Sequence, residues 1–280
     1  TMQYEENHLL PVLINHYSRY VEPRSIFVID HGSSVDLVPE SCSRIYVPRV
    51  RPFSEADSLD LIQHVCFGLL KFYDYGIFAD CDELVSLEKF DYRMLQNDPV
   101  LFVAGFEGFF SETDGKKRLL GVVNPEECKP LIFRELPSWI PGFHRSLMQS
   151  PLPVLRTPMV HTRFLFKEAA KERVAQRVKA YDHVALNEKS HGVNLHWKNA
   201  EAEIEKFYSY VDGLRRSQSM PMRFSELQRD QFFERDDHSP ESGIPSPYHY
   251  NCKGKYSDYS TVYDLSEHFP HLLTPSDHLS

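Results

Sequence analysis

The stretch Tyr75-Gly76-Ile77-Phe78-Ala79-Asp80-Cys81-Asp82-Glu83 decides how the chain is interpreted, because its short apolar run ends abruptly in three carboxylates. Ionised carboxylates are costly to remove from water unless positive charge meets them. Asp80 and Asp82 are two residues apart, so their side chains point the same way on an extended backbone. Two converging carboxylates at a strand end suit a hard divalent cation such as Mg²⁺ or Mn²⁺. A strand followed by a solvated acidic turn is the alternative.

The composition is that of a globular protein with a real core. For 280 residues, of which 41% are apolar, we expect one large domain or one domain with a small appendage. The net charge of -9 argues against binding nucleic acid through general electrostatics. Because no apolar run approaches the roughly 20 residues that span a bilayer, we expect no transmembrane segment. Five scattered cysteines without C-x-x-C spacing favour a cytoplasmic protein.

Short apolar strands alternate with helices in the first part of the chain. Helical spacing of apolar residues predicts a helix over about Glu5 to Tyr20, and Ser54-Glu55-Ala56-Asp57 resembles a capping box that opens a second helix. Strands are predicted at Ser25–Ile29, Arg44–Val47 and Ile77–Ala79. This alternation is typical of an α/β protein with a mostly parallel sheet covered on both faces.

Two of these strands end in acidic residues. Asp30 opens the polar loop Asp30-His31-Gly32-Ser33-Ser34, and Asp80 follows the strand that ends at Ala79. In parallel α/β sheets, ligands bind outside the carboxyl ends of the strands. The sequence therefore predicts a ligand site at the sheet edge to which Asp30 and Asp80 both belong.

The rest of the chain adds strands, two helices and a polar tail. Further strands are predicted at Val100–Gly105, Pro130–Arg134 and Val154–His161, and helices at Lys167–Tyr181 and about Asn199–Tyr210. After Pro221 the chain is rich in Pro, Ser, Asp and His. We therefore expect residues 1–215 to form the main domain, and residues 216–280 to form a loop-rich extension that packs on it or is partly disordered.

Several segments resemble motifs of family-2-like bacterial glycosyltransferases with the GT-A fold. Glu5–His16 resembles their opening helix, Val28–Asp36 their D-N-G-S-S-D loop, and Phe78–Val85 their F-x-D-x-D-E-F-L signature. Trp139–His144 and Val160–His161 resemble the later His-bearing segments more loosely. Most of the match lies in the first half of the chain. The family's first strand precedes the opening helix, and almost no residues stand at that place here.

The resemblance implies a Rossmann-like GT-A fold, a nucleotide-sugar donor and a carbohydrate or other hydroxyl acceptor. A Mn²⁺ or Mg²⁺ ion on the diphosphate would stabilise the departing nucleoside diphosphate. By the family pattern, Asp82 binds the metal directly, Asp80 reaches the ribose or a metal-bound water, and Asp30 lies by the base or ribose. His161 either completes the metal shell or is a satisfied core histidine at a strand end, and His144 is its rival for the ligand role. The preference for base and sugar stays open, because a histidine replaces the usual loop asparagine and the helix tryptophan is absent.

The other expected roles concern the acceptor and the acidic turn. An inverting transfer needs a general base, for which Glu107 follows a strand at the corresponding place. Its competitors are Glu135 and Asp114, and the other catalytic candidate is His144. Trp139 and Phe143 either stack on an acceptor sugar or simply pack. Glu83 is expected to cap the turn or to bridge to a basic residue rather than to bind metal.

Two other classes of protein remain open. A metal-dependent phosphohydrolase also uses a strand-end D-x-D, but dehalogenase-type phosphatases carry D-x-D-x-[TV] on their first strand. Here the motif comes late and Leu84 stands at the fifth place, which disfavours that class. The other alternative is a non-catalytic nucleotide or sugar binder with a GT-A-like fold.

Overall fold

The computed structural model describes eleven segments of the chain: residues 1–50, 54–113, 115–124, 128–139, 143, 154–181, 200–216, 220–227, 233–236, 249–252 and 261–273. The helices in these segments are α1 (Leu9–Tyr17), α2 (Glu55–Leu69), α3 (Met94–Asn97), α4 (Lys167–Tyr181) and α5 (Ala200–Arg216). Three 3₁₀ turns lie at Pro23–Ser25, Phe224–Glu226 and Pro270–Leu272. These helices occur together with the strands described below, so the protein is an α/β protein, as the sequence predicts.

The helix starts follow from local sequence. The Oγ atom of Ser54 accepts a hydrogen bond of 3.1 Å from the backbone N–H of Asp57, which confirms the predicted cap of α2. Helix α1 begins at Leu9 rather than Glu5, because the backbone of Glu5 has a φ of 55° and the chain turns there. Pro11 then lies in the first turn, where its missing N–H costs no helical bond.

A small parallel sheet carries the Asp30 loop. It consists of β1 (Met2–Gln3), β2 (Phe27–Asp30) and β3 (Ser43–Tyr46), with β2 in the centre. Both pairs are parallel, with Met2 opposite Ile29 and Phe27 opposite Ser43. The predicted parallel arrangement is therefore confirmed for this sheet.

The main sheet is mixed, so the prediction of a mostly parallel sheet is wrong there. Its strands in the described segments are β4 (Gly76–Ile77), β5 (Glu83–Val85), β6 (Val100–Thr113), β7 (Lys116–Val123), β8 (Lys129–Phe133), β9 (Val154–His161), β10 (Met222–Arg223) and β13 (Val262–Asp264). The order is β10-β13-β7-β6-β8-β4, with β9 paired to β6 and β5. Only β6–β9 and β10–β13 are parallel among these pairs.

A short connection explains why β6 and β7 are antiparallel. Two residues, Asp114 and Gly115, separate β6 from β7, and a connection this short joins strands only in antiparallel fashion. Gly115 has a φ of 68°, which glycine adopts without steric cost. A further antiparallel pair, β11 (Phe233–Asp236) and β12 (His249–Cys252), lies outside both sheets.

The long strand β6 organises the core. Its first four residues pair with β8, its middle (Val103–Glu107) pairs with β9, and its second half pairs with β7, with register shifts after Leu101 and Val103. One cluster of buried side chains joins Leu10 and Leu13 of α1 to Phe106 of β6. The same cluster includes Tyr263 and Phe269, so this part of the region after residue 215 packs against the main domain. None of the helices in the described segments has the length and apolarity that crossing a membrane requires.

Candidate functional site

Sheet register places Glu83, His161 and Glu107 in one row, next to Asp82. Strand β5 pairs antiparallel with β9, and β9 pairs parallel with β6. His161 lies opposite Glu83 on one side and opposite Glu107 on the other. Asp82 precedes β5, and its carbonyl oxygen accepts a hydrogen bond of 2.7 Å from the N–H of Thr162. The carboxylates of Asp82 and Glu107 therefore flank His161.

His161 bridges the two carboxylates directly. Its Nε2 atom lies 2.8 Å from Oδ2 of Asp82, and its Nδ1 atom lies 3.2 Å from Oε1 of Glu107. An imidazolium, with a proton on each nitrogen, donates to both. Oε1 of Glu107 also accepts hydrogen bonds from Asn124 at 2.9 Å and from Arg163 at 2.5 Å. Glu107 is fully buried, and its Oε1 atom joins His161, Asn124 and Arg163.

Besides His161, the guanidinium of Arg173 on α4 contacts the Asp82 carboxylate. Its guanidinium donates from Nη1 to Oδ2 of Asp82, and from Nε to Oε1 of Glu6 at 2.9 Å. The Asp82 side chain is only 5% exposed. Burial by itself raises the pKa of Asp82, but the charges of Arg173 and His161 outweigh it and hold that pKa well below its usual range. Asp82 is therefore an ionised carboxylate whose charge is balanced by the protein.

We call the connected side chains the carboxylate network: Glu6, Arg173, Asp82, His161, Glu107, Asn124 and Arg163. It joins residues from both halves of the chain. The sequence reasoning missed Glu6, Arg173, Asn124 and Arg163, because a charged side chain on a helix or loop does not reveal its distant partner. The abundance of charge on α4 was the available signal, but a helix with many charges usually has a solvated face, so charge alone does not mark Arg173.

Lys129 organises the acidic turn next to this network. Its ammonium contacts Oε1 of Glu83 and lies 3.5 Å from Oδ2 of Asp80. The other oxygen of Glu83 accepts a hydrogen bond of 3.0 Å from the backbone N–H of Asp80. Glu83 therefore bridges to a basic residue and caps the turn, as predicted. Burial raises the pKa of Glu83, and the neighbouring ammonium opposes that shift.

Asp80 and Asp30 differ sharply in exposure. The Asp80 side chain is 41% exposed, so it is open to a ligand. Asp30 is fully buried, and both its oxygens have protein partners. Arg44 donates to Oδ2 at 2.5 and 3.0 Å, and Oδ1 accepts from the Gln3 side chain at 2.8 Å and from the Ser33 N–H at 3.1 Å. Asp30 thus shapes the loop after β2.

The small sheet and the acidic turn are adjacent. The Sγ atom of Cys81 lies 3.5 Å from Oγ1 of Thr1 and 3.6 Å from the carbonyl oxygen of Met2, so β1 lies beside the acidic turn. Gln3 of β1 bonds to Asp30, and its Oε1 accepts from the N–H of Glu6 at 3.3 Å. Asp30 and Asp82 are therefore linked through β1 and the residues that follow it.

The remaining candidates lie elsewhere. His144 and Asp114 fall outside the described residues. Glu135 is exposed beside Arg134. Trp139 is buried and donates from Nε1 to the carbonyl of Pro130 at 3.0 Å, and Phe143 packs on Phe78 with ring centroids 4.7 Å apart. Both aromatic residues therefore belong to the core, which favours the packing interpretation over stacking on a sugar.

Asp82 and His161 supply an oxygen and a nitrogen that suit Mn²⁺ or Mg²⁺ together with phosphate oxygens and water. Within the described segments, no three His, Cys, Asp or Glu side chains are grouped so as to hold a metal ion. The guanidinium of Arg173 also lies on the oxygen that a cation would use. A cation would therefore bind Asp82 and His161 only after Arg173 has moved away and His161 has lost the Nε2 proton that it donates to the same Asp82 oxygen.

Comparison with known proteins identified no relative of this chain. No protein-family model matches the chain, and neither a similar curated protein nor a similar solved structure was found. Function is therefore inferred from the motifs and from the geometry of the carboxylate network.

Proposed function

We propose that the protein is a metal-dependent glycosyltransferase that moves a sugar from a nucleotide-sugar donor to a carbohydrate or other hydroxyl acceptor. The observation that supports this most is the hydrogen-bonded series of Asp82, His161 and Glu107, which lies next to the half-exposed carboxylate of Asp80. Buried ionisable groups with strongly shifted pKa values are enriched at functional sites. The Asp82 carboxylate has these properties.

The residues divide into those that meet the donor and those that position them. Asp82 and His161 would hold Mn²⁺ or Mg²⁺, which neutralises the charge of the departing diphosphate. The Asp80 side chain is 41% exposed and would meet the ribose or a water on the ion. Glu107 is fully buried and bonded to His161 and Arg163, so we assign it to orienting His161 rather than to deprotonating the acceptor.

Replacing Asp82 tests this proposal. In Asp82→Asn the amide lacks the charge that holds a cation, so we expect at least about a 100-fold loss of Mn²⁺-dependent affinity for a nucleoside diphosphate. Calorimetric titration with UDP, GDP, CDP, ADP and dTDP measures that loss and identifies the base. Asp91→Asn is the matched control, because Asp91 pairs with Arg93 at the surface. Circular dichroism checks the fold of each variant, and unchanged affinity in Asp82→Asn contradicts the assignment.

A non-catalytic nucleotide or sugar binder is the second candidate. The observation that favours it is the closure of Asp82 by Arg173, which neutralises the carboxylate without a metal. A glycosyltransferase releases nucleoside diphosphate from a donor when metal and acceptor are added. A binder retains the donor intact, and a phosphohydrolase releases inorganic phosphate from simple esters. Assay of these products separates the three classes.

A further inference from the structure

Strand β5, which follows the acidic turn, has a partner strand on one of its edges. Among the described strands it pairs with β9 alone. The carbonyl of Asp82, just before β5, and the N–H of Ser86, just after it, make hydrogen bonds of 2.7 and 2.9 Å on the β9 side. Alternate residues of an antiparallel strand direct their backbone groups to opposite edges. The backbone groups of Glu83 and Val85 therefore lie on the other edge of β5, away from β9.

Side chains of α1 take the place of a strand on that other edge. The hydroxyl of Tyr17 donates to the carbonyl of Glu83 at 3.3 Å and accepts from the N–H of Val85 at 3.1 Å. The Nε2 atom of His16 lies 2.8 Å from the carbonyl oxygen of Val85. The fourth group, the N–H of Glu83, donates to the carbonyl of Asp80 at 3.0 Å within the acidic turn. Three of the four backbone groups on this edge therefore depend on two side chains of α1.

These contacts lie in the interior of the protein. The three residues of β5 are buried, His16 is inaccessible to solvent, and Tyr17 is 8% exposed. A backbone group that loses its partner here cannot turn to water, so β5 would shift toward another donor or acceptor. His271 supports the arrangement from behind, because its Nε2 atom lies 3.0 Å from Nδ1 of His16. A neutral His16 that accepts at Nδ1 donates from Nε2, the nitrogen that faces Val85.

The position of β5 determines where Asp82 lies, because Asp82 directly precedes this strand. His161 is held independently, since it ends β9, which pairs with β6, and its Nδ1 atom lies 3.2 Å from Oε1 of Glu107. The Nε2 atom of His161 lies 2.8 Å from Oδ2 of Asp82. A displacement of β5 by about 1 Å away from β9 would lengthen this contact beyond hydrogen-bond distance. The contact between Asp82 and His161 therefore depends on what holds β5 in place.

We propose that Tyr17 and His16 are positioning residues, which hold β5 against β9 and thereby keep the carboxylate of Asp82 at the imidazole of His161. Both act through backbone atoms of β5, so their removal changes the geometry of the site rather than its charge. The consequence for metal binding rests on the proposed function, in which Asp82 and His161 hold the ion. Removing a group that orients a metal ligand typically lowers metal affinity by about 10- to 100-fold.

Tyr17→Phe tests this inference, because it removes one oxygen atom and both of its hydrogen bonds to β5. We expect the ring nitrogen NMR resonances of His161, assigned by their loss in His161→Gln, to move. We also expect the affinity for Mn²⁺ to fall at least about ten-fold. Tyr20→Phe is the matched control, since its lost hydroxyl bonds Glu88 at the surface, and it should leave both quantities unchanged.

The two measurements separate this inference from the proposed function. Unmoved His161 resonances in Tyr17→Phe overturn the inference. An unaltered Mn²⁺ affinity in Tyr17→Phe also overturns it, provided that the unaltered chain binds the ion. If the unaltered chain binds no Mn²⁺ and the His161 resonances still move in Tyr17→Phe, the positioning role is supported and the metal-dependent function fails.

His16 allows a comparison with a conservative rescue. His16→Gln keeps an N–H donor for the carbonyl of Val85, whereas His16→Leu removes it. The Gln variant should therefore leave the His161 resonances near their original positions, and the Leu variant should move them as Tyr17→Phe does. Equal displacements in the two variants would overturn the role of His16.

A further variant separates positioning from a general loss of stability. Ile204 of α5 is fully buried in a cluster that contains no residue of β5. Ile204→Val should lower the thermal midpoint, because it removes a buried methyl group, and should leave the His161 resonances in place. If Ile204→Val moves these resonances as far as Tyr17→Phe does, the effect is one of stability and the proposal is overturned.

Discussion

At the scale of single residues, the protein balances its buried carboxylates with its own cations. Asp82 has Arg173 and His161, Glu83 has Lys129, and Asp30 has Arg44. Breaking one buried pair leaves an uncompensated charge and typically costs about 3–5 kcal/mol. A cation that binds Asp82 or Glu83 must therefore compete with the protein's own cations.

Arg173 provides a prediction at this scale. Because its guanidinium lies on the Asp82 oxygen that a cation would use, Arg173→Gln should bind Mn²⁺ at least about ten-fold more tightly than the unaltered chain. The signal of free Mn²⁺ in electron paramagnetic resonance measures the affinity. Lys171→Gln on the same helix is the control, because Lys171 lies 4.0 Å from Glu205 and outside the network. Equal or weaker Mn²⁺ binding by Arg173→Gln would show that the guanidinium does not compete with the ion.

At the scale of elements, the contact of β6 with β9 sets the position of His161 beside Glu107. Gly108 of β6 allows this close approach, since a Cβ atom there would lie 2.5 Å from Cγ2 of Val160. The register then places Glu107 opposite His161. A glycine next to the network is therefore required by packing between strands and has no chemical role of its own.

Gly108→Ala should destabilise the protein by about 1–3 kcal/mol, because the added methyl group pushes β9 away from β6. Urea unfolding measures the loss. Gly213→Ala in α5 is the control: among the described residues nothing lies within 4 Å of its added Cβ, so it should stabilise the protein by about 0.5–1 kcal/mol. The packing explanation fails if Gly108→Ala unfolds at the same urea concentration as the unaltered chain.

At the scale of the whole molecule, the region near the C-terminus closes the core around α1. Strand β13 pairs with β7, and Phe269 is buried with Leu10 and Leu13. His16 of α1 lies 2.8 Å from the carbonyl of Val85 and 3.0 Å from Nε2 of His271. A neutral pair fits these contacts, because His16 donates from Nε2 and accepts at Nδ1. One hydrogen-bonded pair therefore joins the first helix to the last turn described.

This pair predicts acid sensitivity. Burial lowers the pKa of His16 to about 3 and that of His271 to about 4, so the folded chain keeps both neutral where the unfolded chain binds protons, below about pH 6.5. Stability is therefore retained above pH 6.5 and falls as the pH drops toward 4, by up to roughly 1.4 kcal/mol per pH unit for His16 and by less for His271, which solvent partly screens. Urea unfolding between pH 4 and 7 measures this slope. His271→Gln should reduce it, and an unaltered slope would exclude the pair as its source.

Elements of the fold could be predicted where the sequence pattern that specifies them lies within a few neighbouring residues. The Ser54 cap, the helices α1 and α2, and the strands β2 and β3 follow from patterns within a few residues, and the structure has them within a few residues of the expected bounds. The relative directions of the strands in the main sheet were predicted wrongly, because a wholly apolar sequence does not distinguish a parallel strand from a buried antiparallel one. The Asp114-Gly115 pair was a local signal for an antiparallel hairpin.

By itself, the sequence determined that acidic residues follow apolar strands at Asp30 and Asp80, because apolar runs and polar exits are properties of neighbouring residues. Only the tertiary structure decided which basic groups contact the carboxylates of these acidic segments, Asp82 included. Asp82 contacts Arg173, 91 residues further along the chain, and His161, 79 residues further. Such partners are chosen by sheet register and helix packing, which depend on contacts across the whole chain and leave no pattern in any short stretch of it.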